Sequence, residues 1–271
     1  MISIIIVNFN SGDYLSRCLN SIEKYAGEDI EVVVVDNKST DDSIGRCMHY
    51  FELNKYVLVR LDENLGFAKA NNIGVEKASG DMFHFLNPDT ELRQGMSDDY
   101  ATCRKQPDNI YVNKLQNPDG SFVESINVIP TLGNYFRKVF HFGNVGLWYT
   151  GATVIMSRST FELIGGWNES FFMYSEDLDL FYKAFLNKVS TVFLPSVITH
   201  VGGGSSSKVW NSFERELKVQ RSFKNFFIVN NIKWQYPFTL FFIFIRVLLI
   251  NPRNAMFCLR VWARLNFNKG E

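Results

Sequence analysis

Two short acidic segments have the residue types and spacing to carry a reaction. In Leu86-Asn87-Pro88-Asp89-Thr90 a carboxylate follows directly on an apolar, strand-like run. At the open edge of a sheet such a group can hold a hard cation. Mg²⁺ and Mn²⁺ commonly take one or two protein carboxylates and complete their shell with phosphate oxygens and water. Asn-Pro-Asp is equally an ordinary turn. The second segment, Phe171-Phe172-Met173-Tyr174-Ser175-Glu176-Asp177-Leu178-Asp179, crowds three acids at a helix start behind an aromatic run. Acids there complement the helix dipole, yet large apolar neighbours also desolvate them. A desolvated Asp is suited to accept a proton from an attacking hydroxyl. His200 precedes Gly202-Gly203-Gly204; it is either structural or a contact to metal or diphosphate.

Two polar segments can hold a nucleotide. Asp36, in Asp36-Asn37-Lys38-Ser39-Thr40-Asp41, ends a strand, where it either accepts from a base N–H or serves the cap. In the run from Asp62 to Asn72, Gly66 permits close backbone approach, and the helix N-terminus that follows can face an anion.

These residues need a frame. Ile2–Val7, Glu31–Val35, Tyr56–Leu61 and Met82–Leu86 read as strands, the first two as continuous apolar runs buried on both faces. Helices are expected at about Tyr14–Tyr25, after the capping run Ser39–Asp42, and at Phe67–Ala78. Alternation of this kind predicts an α/β fold with a parallel sheet, and in such sheets ligands bind beyond the carboxyl ends of the strands. Asn8, Asn10, Asp36, Asn37, Asn64 and Asp89 all fall there. Further on, Asn117-Pro118-Asp119-Gly120 is a turn, Ala152–Met156 a strand, Arg158–Ile164 a short helix stopped by Gly165-Gly166, and Glu176–Leu186 a helix. Val189–Leu194 reads as a strand closed by Pro195, and Val201–Ser207 as a glycine- and serine-rich loop.

The 271 residues carry no net charge, but the balance is uneven. From Leu217 onward nine basic residues face only Glu271, so the end of the chain is as positive as the rest is negative. Pro237–Ile250 is apolar, interrupted by Arg246, and short of the ~20 residues of a span. Beyond it Arg253, Arg260 and Arg264 mix with aromatic and aliphatic residues. This pattern predicts a helix lying on a membrane surface, the alternative being packing on the core or on a second copy. Four scattered cysteines without metal spacing read as reduced thiols in a cytoplasmic protein. No basic segment leads into an apolar one at the start, so export is not expected.

Taken together, VNFN, VVVDNKSTDDS, ENLGFAKANNIG, FLNPDTEL, YTGATVIMSRSTFELIGGWNESFFMYSEDLDL and ITHVGGGS resemble, in order and spacing, family 2 of the glycosyltransferases. The closest look is to rhamnosyltransferase-like enzymes of bacterial surface polysaccharides. The resemblance implies a GT-A fold, a Rossmann-like, mostly parallel sheet flanked by helices. It places a catalytic domain at 1–207, with a nucleotide-binding half to about 115 and an acceptor half from 116, and a C-terminal helical segment at 208–271. It also implies roles. Asp177 is the general base, with Glu176 on acceptor or sugar. Val7, Asn8, Asp36, Asn64, Gly66 and Asn71 line the nucleotide, while Trp148, Gly151 and Ala152 shape the donor-sugar pocket. Asp89 binds Mn²⁺ or Mg²⁺, assisted by His200 and by Asn87, which stands where the family's DXD motif has its first acid. The implied partners are a dTDP- or UDP-sugar donor and a glycan or lipid-linked glycan acceptor at the inner face of the cell membrane. A homo-oligomer is compatible with the tail, and nucleic acid is not expected. The competing reading is a catalytically silent nucleotide-sugar-binding scaffold in a polysaccharide-assembly complex.

Overall fold

The computed structural model of the chain describes residues 1–141, 143–202 and 212–250. Strands β1 (Ile2–Asn8), β2 (Ile30–Asp36), β3 (Tyr56–Arg60) and β4 (Met82–Leu86) pair in parallel in the order β3-β2-β1-β4. Their register aligns Asn8 with Asp36 and Asp36 with Arg60, so the polar residues that end the apolar runs share one sheet edge. The sheet continues through β9 (Thr153–Ser157), β6 (Ile110–Gln116), β10 (Thr191–His200) and β5 (Thr90–Glu91). It is mixed rather than wholly parallel, because β9 runs against both β4 and β6, and β5 runs against β10.

Continuous apolar strands need cover on both faces. Along β1, Ile4 and Ile6 point into a core with α1 (Tyr14–Tyr25) and α3 (Met96–Lys105), while Ile5 and Val7 point into one with α2 (Phe67–Lys77), α5 (Arg158–Leu163) and α6 (Glu176–Leu186). A small ribbon, β7 (Ile126–Val128) with β8 (Leu147–Tyr149), encloses α4 (Leu132–Phe140).

Two expectations are corrected. Ser39–Asp42 does not open an α-helix; a 3₁₀ helix begins later, at Gly45–Glu52. Asn10 Oδ1 accepts the N–H groups of Thr40 and Asp41, and that side-chain bonding holds the loop backbone out of a helical turn. The strand expected to close at Pro195 runs on to His200. The register shifts between Phe193 and Val197, and this irregularity accommodates a proline that cannot donate to the ladder.

The described part of the C-terminal segment packs on the core. Helix α7 (Ser212–Val229), a 3₁₀ turn at Lys233–Gln235 and helix α8 (Tyr236–Ile250) bring Phe226, Phe227 and Tyr236 against Ile129, Phe171 and Leu178. Among the described residues no helix is long and apolar enough to cross a membrane. The second basic stretch from Arg253 and the loop residues 203–207 lie outside the described residues.

Candidate functional site

The first cluster forms where β1 and β2 end. Asn8 is fully buried, and its Nδ2 lies 3.0 Å from Asp36 Oδ1, 2.9 Å from Ser39 Oγ and 3.0 Å from Ser43 Oγ. Ser11 donates to Asn8 Oδ1. The Asp36 carboxylate is therefore fixed at the strand end through Oδ1, while buried Val7 turns to the other face of the sheet. Asn37 carries the frame to the next loop: its Nδ2 donates to Asn64 Oδ1 at 2.8 Å, and its Oδ1 accepts from Leu65 N at 2.8 Å. Asn64 Oδ1 also accepts from Gly66 N at 3.0 Å.

Gly66 sits at φ +84°, a conformation costly for a side chain, and a Cβ there would collide with the Phe172 carbonyl. Phe67 N donates to that same carbonyl at 2.8 Å. The glycine thus lets the loop before α2 close against the loop that leads into α6. Asn71 is turned onto its own helix, donating to Phe67 O at 3.0 Å. Its neighbour Asn72 makes the cross-contact, from Nδ2 to Trp167 O and to Glu169 Oε1, both at 2.9 Å. Asn37 stands at the strand ends where the sequence places it, whereas Asn72 and Phe172 are connectors that single-residue reading passes over; the polar pair Asn71-Asn72 on one helix was the available signal.

A second cluster lies past β4. Asn87 N donates to Ala152 O at 2.9 Å, and its carbonyl accepts from Thr90 N and Oγ1, closing the turn. Its side-chain oxygen Oδ1 is out of solvent and lacks a hydrogen-bond partner. The two-residue strand β5 pairs Thr90 with His200, which draws Asp89 to the end of β10. His200 Nε2 lies 3.4 Å from Asp89 Oδ1, both side chains being about one-eighth exposed. An orphaned buried oxygen in the same turn as a carboxylate that faces an imidazole supplies donor types that a divalent cation takes. Among the described residues no group of three His, Cys, Asp or Glu gathers, so an ion here would draw on Asn87 and on ligand oxygens.

Beneath this edge, His84 Nε2 faces Thr153 Oγ1 at 3.0 Å and Nδ1 faces Tyr100 O–H at 2.7 Å. Thr153 donates onward to Asn113 Oδ1, so it must accept from His84. The ring is then neutral with its proton on Nε2, and burial holds its pKa down to about 3. It locks β4 to the start of β9, next to Ala152.

The third cluster is the start of α6. Gly151 N donates to Asp177 Oδ2 at 3.2 Å, and Leu178 N reaches Oδ1 at 2.8 Å. Gly151 and Ala152 therefore link both acidic segments, one through Asp177 and the other through Asn87. A Cβ on Gly151 would press on Asp177 Cβ at 3.2 Å. Burial raises both carboxyls. For Glu176 the adjacent Asp177 charge adds to it, and its Oε2 lacks a hydrogen-bond partner; for Asp177 the two N–H donors oppose it. Trp148, half-buried in β8, packs against α6 and the aromatic cluster below it.

The turn that presents these acids is held from the C-terminal segment. Tyr174 and Ser175 are consecutive left-handed residues, at φ 70° and 61°, a costly arrangement that needs support. Ser222 on α7 donates to Tyr174 O, Asn225 Nδ2 reaches Ser170 O at 3.2 Å, and Asn230 Nδ2 reaches Asp179 Oδ1 at 2.7 Å. If Asp177 acts in the chemical step, Ser222→Ala should lower kcat, by up to about 10²-fold, with donor KM little changed, because small misplacement of a reacting group is costly. Steady-state kinetics read this directly; a wild-type kcat would show that the clamp does not position Asp177.

Comparison with known proteins adds the following. Residues 3–101 match the family model described as Glycosyl transferase family 2. The chain is 26% identical over 249 residues to the low-salt glycan biosynthesis hexosyltransferase Agl10 of Haloferax volcanii, covering 85% of this chain and 75% of that protein. Among solved structures, it superposes on Staphylococcus aureus TarS 1–349 in complex with UDP-GlcNAc with a TM-score of 0.57 and 21% identity, over 81% of this chain and 64% of that one. GalNAc-T7 with UDP, GalNAc and Mn²⁺ gives a TM-score of 0.60 at 17% identity, over 86% and 55%. At these identities the superpositions establish the fold, which is GT-A.

Proposed function

We propose that this protein, whose residues 3–101 match the glycosyl transferase family 2 model and whose fold is GT-A, transfers a sugar from a nucleoside-diphosphate sugar to an acceptor hydroxyl, inverting the anomeric centre. The observation that carries this reading is the link through Gly151 and Ala152, which sets Asp177 and the Asn87–Asp89 turn on one strand start. Asp36, its Oδ1 held by Asn8, accepts from the base with its other oxygen. Asn64 and Gly66 shape the diphosphate channel with Val7 and Asn8 behind it, and Asn71 holds the start of α2. Trp148, Gly151 and Ala152 border the donor sugar, and Glu176 meets the sugar or the acceptor. Asp177 takes the acceptor proton as that oxygen bonds to the anomeric carbon and the bond to the diphosphate breaks. Asp89 and His200, with Asn87 Oδ1, would hold Mn²⁺ or Mg²⁺, which when bound offsets charge on the departing diphosphate.

Relatives support a nucleotide-sugar donor and a role in glycan assembly: TarS binds UDP-GlcNAc, and Agl10 is a hexosyltransferase of glycan biosynthesis. Rhamnose as the sugar, a surface polysaccharide or lipid-linked acceptor, and peripheral contact of the basic tail with the inner face of the membrane are parts of the same proposal.

The pH profile tests the base. A general base works ionised, and burial raises the Asp177 carboxyl. Turnover should therefore rise with pH along a limb displaced above the ordinary carboxylate value of ~4 toward neutrality. A profile already flat at pH 5 would remove Asp177 from the role. Stability should move the opposite way. A carboxyl with a folded pKa above its unfolded one costs stability while ionised, so lowering the pH through that raised value relieves the cost.

A further inference from the structure

We propose that the outward faces of α4 and α8 together form a docking surface for an anionic lipid bilayer. This deepens the membrane contact proposed for the tail and adds to it a helix from the middle of the chain. Helix α8 is apolar nearly all round, and only one side of it meets the core. Tyr236 and Thr239 are buried there, Thr239 donating to Pro130 O at 3.2 Å, and Leu240 packs beside them. The opposite side presents Phe238, Phe241, Phe242, Ile245 and Leu248, each between 37% and 60% exposed and repeating at helical spacing. A helix apolar on every side belongs in an apolar environment.

Helix α4 adds a second stripe. Phe136, Val139 and Phe140 stand at i, i+3 and i+4 and are 55–67% exposed. The two helices meet at their N-terminal ends: Leu132 N donates to Gln235 Oε1 at 2.9 Å, and the Tyr135 and Phe242 rings lie 6.2 Å apart. Large exposed apolar patches of this kind mark interaction surfaces.

Charge and length select the occupant. Exposed Lys138 stands between the apolar residues of α4, and Lys233 precedes the exposed Trp234 at the foot of α8. Basic residues and tryptophan at the rim of an apolar face suit the headgroup layer of an anionic membrane. The whole segment from Leu217 is rich in basic residues and carries one acid. The fifteen described helical residues extend about 22 Å, short of the ~30 Å hydrocarbon thickness, which suits a helix lying in the interface. Because α4 falls between β7 and β8, and β8 carries Trp148, the surface belongs to the half of the molecule proposed to receive the acceptor. An acceptor held on a lipid would then meet Asp177 from the membrane side.

The test is co-sedimentation of the full chain with phosphatidylcholine vesicles lacking or containing phosphatidylglycerol, with sedimentation velocity of the free protein alongside. Wild type should bind the anionic vesicles, and Phe140→Ser on α4 and Phe241→Ser on α8 should each weaken binding by tenfold or more. Lys138→Glu leaves every apolar contact in place, so it keeps the test valid should a serine variant fold poorly. Removing one lysine costs about fivefold, and reversing its charge costs more. Three results would overturn the proposal: Phe140→Ser and Lys138→Glu binding as wild type; a dimer that Phe241→Ser dissociates, with no vesicle binding; and a monomer that ignores vesicles. Nucleoside-diphosphate release from donor, assayed without vesicles, reports separately on the transferase reading, so either can fail alone.

Discussion

Asp177→Asn should reduce turnover by about 10²- to 10⁴-fold, the usual contribution of a positioned base. Affinity for the nucleotide should stay within twofold of wild type. The change is nearly isosteric, and the amide oxygen can still accept from Gly151 N, so the link between α6 and β9 survives. What is lost is the ability to take a proton. The same substitution removes a carboxylate that burial disfavours and gives up the Leu178 N–H bond to Oδ1, two opposing effects, so stability at neutral pH should stay close to wild type. A stable variant with intact nucleotide binding and no turnover separates a chemical role from a structural one. Undiminished transfer by this variant would require another base, with Glu176 the nearest candidate.

Asp89→Ala should have the second-largest effect, on metal-dependent donor binding. Asn87 Oδ1 is buried without a partner, and His200 Nε2 stands 3.4 Å from Asp89 Oδ1. Losing the single carboxylate of this set leaves two neutral ligands, which suit a hard cation poorly. The loss of Mn²⁺ affinity should exceed the 10- to 100-fold typical of removing an outer-shell partner. Manganese titration followed by electron paramagnetic resonance, in the presence of UDP, measures it. Affinity equal to wild type would take Asp89 out of the metal site.

Much of this frame was legible in the chain itself. Strands buried on both faces carry their own signature, so β1, β2 and β4 and the polar residues that end them could be placed from residue type alone. Helices α1, α2 and α6 were equally readable from periodicity. The second half was harder, because its contacts are non-local. No local signal says that β10 survives Pro195, yet only that continuation carries His200 to Asp89. Asn71 and Asn72 are indistinguishable by type, and only coordinates reveal that one bonds its own helix while the other ties α2 to Trp167. The tail's composition advertised a membrane helix and concealed α7, whose Ser222 and Asn225, with Asn230 just beyond its end, reach 48, 55 and 51 residues back to the loop and helix that carry Asp177. Such long-range side-chain bonds leave no periodic trace in sequence.

The measurement that bears most directly on the central claim is a calorimetric titration of UDP, dTDP, GDP and CMP into the wild-type protein, with and without Mn²⁺. The site built from Asp36, Gly66 and Asp89 predicts binding of UDP or dTDP that tightens markedly with the metal, and weaker binding of the others. Failure of every nucleotide to bind, with or without Mn²⁺, would contradict a nucleotide-sugar transferase and leave the fold without its proposed donor.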